Sequence, residues 1–195
     1  MRLVLLGAPG SGKGTQAEML KSALGVPHIS TGDLLRTAVK LGTPLGLAAK
    51  AVMETGRLVS DDIVLGMLEE RLDLSDAAEG FILDGYPRNL AQCEALEAVL
   101  ARIGQPLDVA IKLDVPDEAI VERIAGRAAT QGRKDDTPET VRERLRVYTE
   151  QTEPVADHFA QIGKLVVVDG VGELGTVSRR LIAALPTGCR RRASA

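Results

Sequence analysis

The chain has 195 residues, 45 % of them apolar and 2 % aromatic, with no Trp; this suits one domain with small inserts and an aliphatic core. Its net charge of −3 argues against a nucleic-acid partner, which calls for a basic surplus, but leaves small anions open to local Arg clusters. With only Cys93 and Cys189 there is no disulfide framework, a reducing, cytoplasmic setting is expected, and no apolar run nears the ~18 residues of a membrane span.

Residues 1–6 (MRLVLL) start like a signal peptide but break at once into Gly7, Ala8 and Pro9, short of the roughly 7–15 residues an apolar signal region needs. A buried strand over 2–6 is expected instead. The stretch GAPGSGKGTQ (7–16) then nearly matches a phosphate-binding loop, G-x-x-x-x-G-K-[ST]. Gly7, Gly12 and Lys13 fit, but Gly14 stands where a Ser or Thr would touch magnesium, and the hydroxyl arrives one place late, at Thr15. Gly7, Gly10 and Gly12 let backbone amides turn around an anion, a following helix adds its positive end, and Lys13 adds a point charge. A Gly-rich turn without a ligand is the plainer reading; strand, glycines, lysine and helix in this order favour the phosphate site. A helix over Thr15–Leu24 places Ala17, Leu20 and Leu24 on one face.

A weak strand over 27–29 leads into STGDLLR (30–36). Either Ser30 or Thr31 suits a helix N-cap. Arg36 has Gly32 at i−4 and Asp33 at i−3, so a surface pair and a phosphate partner both stay open. Helices over Asp33–Leu41, Leu45–Thr55 and Asp61–Leu72 follow, and residues 30–59 read as a helical insert. In GFILDGYPR (80–88) a strand over 81–83 ends in Asp84. An aspartate there is a turn residue or, beside a phosphate loop, one that serves the metal.

Further elements are a helix over Leu90–Ile103, a strand over 108–113 and a helix over Asp117–Ala125. Residues 126–136 (GRAATQGRKDD) are polar and too short to hold structure of their own. One long helix over Pro138–Gln161 is signed by Thr137 as N-cap, Pro138 at its first position and Glu139. A strand over 165–169 and a helix over Leu174–Leu185 close the pattern, and the tail 186–195, with Ser194 in a basic context, is expected to be disordered. Strands of little alternation separated by helices mean an α/β fold with a parallel sheet covered on both faces, binding ligands outside the carboxyl ends of its strands.

Arg36, Arg88, Arg123, Arg127, Arg133 and Arg144 fall in or beside loops at that edge. Any one is most often a surface residue; together they suit phosphoryl transfer between two anions, since guanidinium forks bind phosphate oxygens in pairs. His28 and His158 stand beside no motif and read as structural or surface residues. Cys93 reads as an inert thiol.

In order and spacing, GAPGSGKGTQ, STGDLLR, GRLVSD, GFILDGYPRN with Gln92, and GRKDD leading to RERL resemble the motifs of the adenylate kinase family, over essentially residues 1–185. The resemblance implies a three-layer P-loop fold with a five-stranded parallel sheet. Its core would comprise 1–29, 60–125 and 137–185, with an AMP-binding insert at 30–59 and a short lid at 126–136. It implies reversible transfer of the ATP γ-phosphoryl group to AMP, giving two ADP, by a cytoplasmic monomer. Gly10, Ser11, Gly12, Lys13, Gly14 and Thr15 would wrap the ATP phosphates, and Gly14 is the family's own pattern. Arg123 would stack near the adenine of ATP and Gly172 touch it through backbone. The AMP pocket would take Thr31, Arg36, Arg57, Leu58, Val59, Gly85, Tyr86, Pro87, Arg88 and Gln92. Arg127, Arg133 and Arg144 would clamp phosphates, the last two also on the AMP side, with Lys13 and Arg88 sharing the catalytic work.

Magnesium would be held by phosphates and by waters that Asp84 and Asp33 orient. The lid carries no Cys, which leaves a lid zinc without ligands. UMP and CMP kinases share the short lid and Asn89, but they resemble SAGELLR where this chain has Thr31 and Asp33; Thr31 and Gln92 favour adenine. A GTPase or ATPase switch would want a guanine-reading N-K-x-D, which does not occur.

Overall fold

Leu3 and Leu5 of the first strand, β1 (Arg2–Leu6), are buried on one side of a sheet, and Val4 and Leu6 on the other. Successive strand side chains point to opposite faces, so a strand this apolar needs a cover on both. The computed structural model describes residues 1–131 and 137–186, and for 125–131 the backbone alone. Arg133 and the tail from 187 onward therefore lie outside the described residues, as does the side chain of Arg127.

The other strands are β2 (His28–Ser30), β3 (Phe81–Asp84), β4 (Val109–Asp114) and β5 (Leu165–Asp169). They form one five-stranded sheet in the order β2-β3-β1-β4-β5, all pairs parallel. One face packs on α1 (Lys13–Leu24) through Ala17, Leu20 and Leu24, and on α9 (Leu174–Ala184) through Val177 and Leu181. The other face is covered by α4 (Asp61–Leu72), α5 (Leu90–Arg102) and α8 (Glu153–Gln161), with Leu68, Leu96 and Phe159 fully buried. The chain leaves β1 toward β2 and β3 and later crosses to β4 and β5. The reversal opens a crevice at the carboxyl end of β1, where this class of sheet binds its ligands. No helix among the described residues is long and apolar enough to cross a membrane.

Two helices, α2 (Thr31–Leu41) and α3 (Pro44–Glu54), form the excursion between β2 and α4. Ser30, not Thr31, caps α2: its side chain accepts from the Asp33 N–H at 3.3 Å. The Thr43 hydroxyl caps α3 in the same way, with Pro44 next. Gly46 is buried where α3 crosses α2, and a Cβ there would run into the Ala38 carbonyl. Gly46→Ala is therefore expected to destabilise the protein by about 2 kcal/mol, the scale of overpacking, although alanine is the better helix former. Urea unfolding measures it.

The structure redraws several of the expected helices. The helix expected to end at Ala125, α6 (Asp117–Gln131), runs on to Gln131. Part of the 126–136 stretch thus has structure, by continuing a helix through the strong helix formers Ala128, Ala129 and Gln131. The single helix expected over 138–161 is broken into α7 (Pro138–Val147), a π-helical turn at Tyr148–Thr152, and α8. Pro154 has no N–H for an interior helical bond, and the backbone widens ahead of it. At the other end Thr137 and Pro138 cap α7 as expected, with Thr140 N–H donating to Thr137 Oγ1 at 3.2 Å. Helix α1 begins at Lys13, two residues earlier than the sequence suggested, since Gly12 is the turn residue.

Candidate active site

The loop after β1 needs backbone that side chains resist. Gly7, Gly10 and Gly12 have φ of 143°, 87° and 98°, the left-handed side that glycine adopts without strain. Space adds to this at Gly10, where a Cβ would lie 2.6 Å from Ile124. The loop delivers Gly12 to the start of α1, so the first-turn amides and the positive helix end face the crevice. Lys13 folds back over the loop, its Nζ donating to the carbonyls of Gly7 at 2.6 Å and Ala8 at 2.9 Å. Arg123 on α6 ties the same loop to the end of β5, donating to Ser11 O and Gly170 O, each at 2.9 Å.

Asp84 ends β3, level with Leu5 of β1 and Ser30 of β2. Its Oδ2 would lie 3.5 Å from a Cβ on Gly14, so the position that lacks a hydroxyl abuts a carboxylate. Burial would raise the Asp84 carboxyl, but the adjacent His28 ring and the charges of Lys13 and Arg88 outweigh it and hold the group below its usual range. It is an anion at neutral pH. No three carboxylate, His or Cys side chains among the described residues are grouped to hold a metal by themselves. One buried carboxylate beside a phosphate loop does fit Mg²⁺, which keeps several waters and binds through one or two carboxylates plus substrate phosphates.

His28 neighbours the site without having been singled out for it by the sequence. It stands beside no motif in the chain, yet its side chain is only 6 % exposed, with Nδ1 2.8 Å from Glu18 and Nε2 3.5 Å from Asp84 Oδ2. Burial works against its protonation, and the two carboxylates outweigh that and raise its pKa. The signal was its place two residues before Ser30, on the strand beside the one that carries Asp84. Of its reading as a structural or surface residue, the structure shows the structural one: it is a buried neighbour of the site.

A cavity of about 740 Å³ lies over these residues, within the range of small-molecule sites. The loop residues Gly10 to Thr15, with Arg123 and Gly172, line one part of it. Thr31, Asp33, Arg36, Arg57, Leu58 and Val59, from the insert, line another. Asp84, Gly85, Pro87, Arg88, Gln92 and Arg144 complete the wall. Tyr86 does not contribute to it: its side chain is 1 % exposed and turned into the core, beyond a cis Tyr86–Pro87 peptide. Arg36 is paired with Asp33 on its own helix, the surface-pair option for that side chain. Thr31 Oγ1 donates to Gly85 O at 2.9 Å, leaving its oxygen as an acceptor.

Arg88 is anchored by its Nε donating to Gly85 O at 2.7 Å. Its two terminal nitrogens make no hydrogen bond among the described residues. Burial, then the charges of Arg144 and Arg36, lower its pKa against the pull of Asp84; a guanidinium stays charged throughout. Two further residues come from the α7–α8 break. Tyr148 lines the cavity, its pKa pushed up to about 12 by burial and by Glu153 and Asp114, and Thr152 Oγ1 donates to Arg88 O at 2.8 Å. Pro154 inside a helical pattern was the one sequence signal for them. The insert is seated on α7 by Thr140 Oγ1, which donates to Glu54 O at 3.1 Å.

Chemically, the arrangement places amides, a lysine and arginines around one cavity, with Asp84 at its floor and Asp33 and Glu18 also in its lining. Such a donor set suits phosphate oxygens and the neutralisation of their charge. The family model for adenylate kinase matches residues 5–164. Over 185 residues, the chain is 62 % identical to an adenylate kinase of Stenotrophomonas maltophilia (strain R551-3), 63 % to one of Xanthomonas euvesicatoria pv. vesicatoria and 64 % to one of Xanthomonas oryzae pv. oryzae (strain MAFF 311018). Each match covers 95 % of this chain and 99 % of the relative. By sequence along nearly its whole length, and by a parallel sheet that carries the matching loop at its switch point, the chain belongs to the adenylate kinase family of phosphotransferases.

Proposed function

We propose that the chain catalyses reversible transfer of the γ-phosphoryl group of ATP to AMP, giving two ADP. The observation that carries the reading is one cavity lined at one part by the phosphate loop with Lys13, and at another by the insert, Arg88 and Gln92. ATP lies along Gly10–Thr15 in this reading, with its adenine toward Arg123 and Gly172. AMP lies between Thr31, Arg36, the Arg57–Val59 stretch and Gly85–Gln92, where Tyr86 contributes backbone only. Arg127 and Arg133 close from residues 126–136, which act as a short lid. Residues 30–59 act as the AMP-binding insert on a core of 1–29, 60–125 and 137–185. The protein acts as a cytoplasmic monomer.

The acceptor is a phosphate oxygen that is already anionic at neutral pH, so no general base is required. The work left to the protein is alignment and charge neutralisation. Lys13, Arg88 and Arg144 hold the phosphates apart from water and in line. Magnesium bound with ATP would supply charge neutralisation, and Asp84 and Asp33 would be the residues that orient its waters.

The test offers purified protein MgATP with AMP, UMP, CMP or GMP in turn, and with no acceptor, and follows ADP formation. AMP is expected to be used at least about a hundredfold better than UMP or CMP, because a site built to hydrogen-bond one base rejects a base that lacks the partners. Preference for a pyrimidine acceptor would overturn the AMP pocket. ADP formation without any acceptor would overturn phosphoryl transfer in favour of hydrolysis.

A further inference from the structure

Asp61 is the first residue of α4 and is half-buried. It follows the cavity-lining stretch Arg57–Val59 but does not line the cavity itself. Its carboxylate collects three hydrogen bonds from α5 and its cap. Gln92 Nε2 donates to Asp61 Oδ1 at 2.6 Å, and Asn89 Nδ2 lies 3.2 Å from both Asp61 oxygens. The other end of the Gln92 amide is equally committed, its Oε1 accepting from the Arg88 N–H at 2.7 Å. Gln92 is 2 % exposed, yet it lines the cavity.

An amide side chain is ambiguous only when its neighbours can both donate and accept. Here neither can. An ionised carboxylate only accepts, and a backbone N–H only donates. A reversed Gln92 would set its Oε1 against the Asp61 carboxylate and its NH₂ group against the Arg88 N–H, two repulsive contacts in a nearly buried place. The amide is therefore held in one sense. After these bonds it keeps one Nε2 hydrogen and one Oε1 lone pair, a donor and an acceptor whose order is set from behind.

We propose that Asp61 is a specificity-determining positioning residue: by fixing the sense of the Gln92 amide, it selects a base that offers an acceptor next to an amino donor, the N1/N6 edge of adenine. It equally selects against the N1–H donor and O6 acceptor of a 6-oxopurine, which need the amide reversed. This rests on the reading that Gln92 meets the acceptor base. Asn89 supports the same carboxylate while its Oδ1 caps α5, accepting from Gln92 N–H at 2.8 Å, so one short network ties the helix start to base choice.

The experiment measures kcat and KM for AMP, IMP and GMP, and KM for ATP, in the wild type, Gln92→Ala, Asp61→Asn and Asp61→Ala. Asn at 61 accepts or donates and so removes one of the two restraints on the amide, leaving the Arg88 N–H alone to hold its sense. Asp61→Asn is expected to lower the ratio of kcat/KM for AMP over IMP by about tenfold or more. The change should come through a raised KM for AMP, with KM for ATP unchanged. Asp61→Ala should do the same, and Asp61→Asn, which keeps size and shape, carries the test if the alanine variant does not fold. A uniform loss of kcat across acceptors with the AMP:IMP ratio intact would mean a structural role and overturn the proposal. Should Gln92→Ala itself keep the wild-type ratio, or the wild type show none, the reading of Gln92 as the base contact fails first. If Gln92→Ala loses the ratio and both Asp61 variants keep it, only the role of Asp61 is overturned.

Discussion

Replacing Arg88 by Ala is expected to lower kcat by at least about a hundredfold, the scale of removing one preorganised donor from the charge that develops in a transition state. The side chain is fixed at Nε by the Gly85 carbonyl, and its terminal nitrogens are committed to nothing else among the described residues. Its backbone is held from two further sides, by Gln92 Oε1 and by Thr152 Oγ1. A guanidinium immobilised in this way has lost its conformational freedom before the substrate arrives, so its binding energy goes to the transferring group. Arg88→Lys separates charge from geometry. Lysine keeps the charge but not the paired donors, and about tenfold of the loss should remain. Steady-state rates at saturating ATP and AMP, with far-UV circular dichroism to verify the fold, measure both. An Arg88→Ala enzyme with near-normal turnover would remove Arg88 from the mechanism.

The second large effect is at Lys13. Lys13→Met keeps the length of the side chain and removes the ammonium, and kcat/KM should fall by about a thousandfold, at the upper end for one electrostatic donor. The ammonium rests on the Gly7 and Ala8 carbonyls, from which a phosphate can recruit it without moving the loop. Removing it has a second consequence. Lys13 is one of the charges that hold the Asp84 carboxyl low, so its loss raises the pKa of Asp84. Asp84 thereby loses part of the stability it contributes above its unfolded pKa, and the contribution vanishes at a higher pH as acid is added. Calorimetry at several pH values reads this apart from the rate. A Lys13→Met enzyme within about tenfold of wild type would mean that the loop amides alone carry the phosphates.

Much of this was legible in the chain because the chemistry concerned is local. Gly7, Gly10 and Gly12 are needed where the backbone enters positive φ, and no other residue type satisfies that at three places in one loop. Thr137-Pro138 marks a helix start because the cap and the missing N–H are properties of neighbouring residues. Parallel strands buried on both faces have to be continuously apolar, as RLVLL and DVAIKL nearly are. The long helix over 138–161 failed at Pro154, where a local breaker was outvoted by an otherwise helical pattern.

The phosphate loop, the parallel sheet, the aspartate at the end of β3 and the family to which these belong were all readable from the chain, since each depends on residues adjacent in it. That His28 packs beside Asp84 came from the folded arrangement, because it follows from β2 pairing with β3. The same arrangement turned Tyr86 away from the cavity into the core, brought Thr152 under Arg88, and set Asp61 behind Gln92. Each of these contacts joins elements far apart in sequence. Their partners are chosen by how helices and strands pack, and a hydrogen bond between distant residues leaves no spacing in the chain to read.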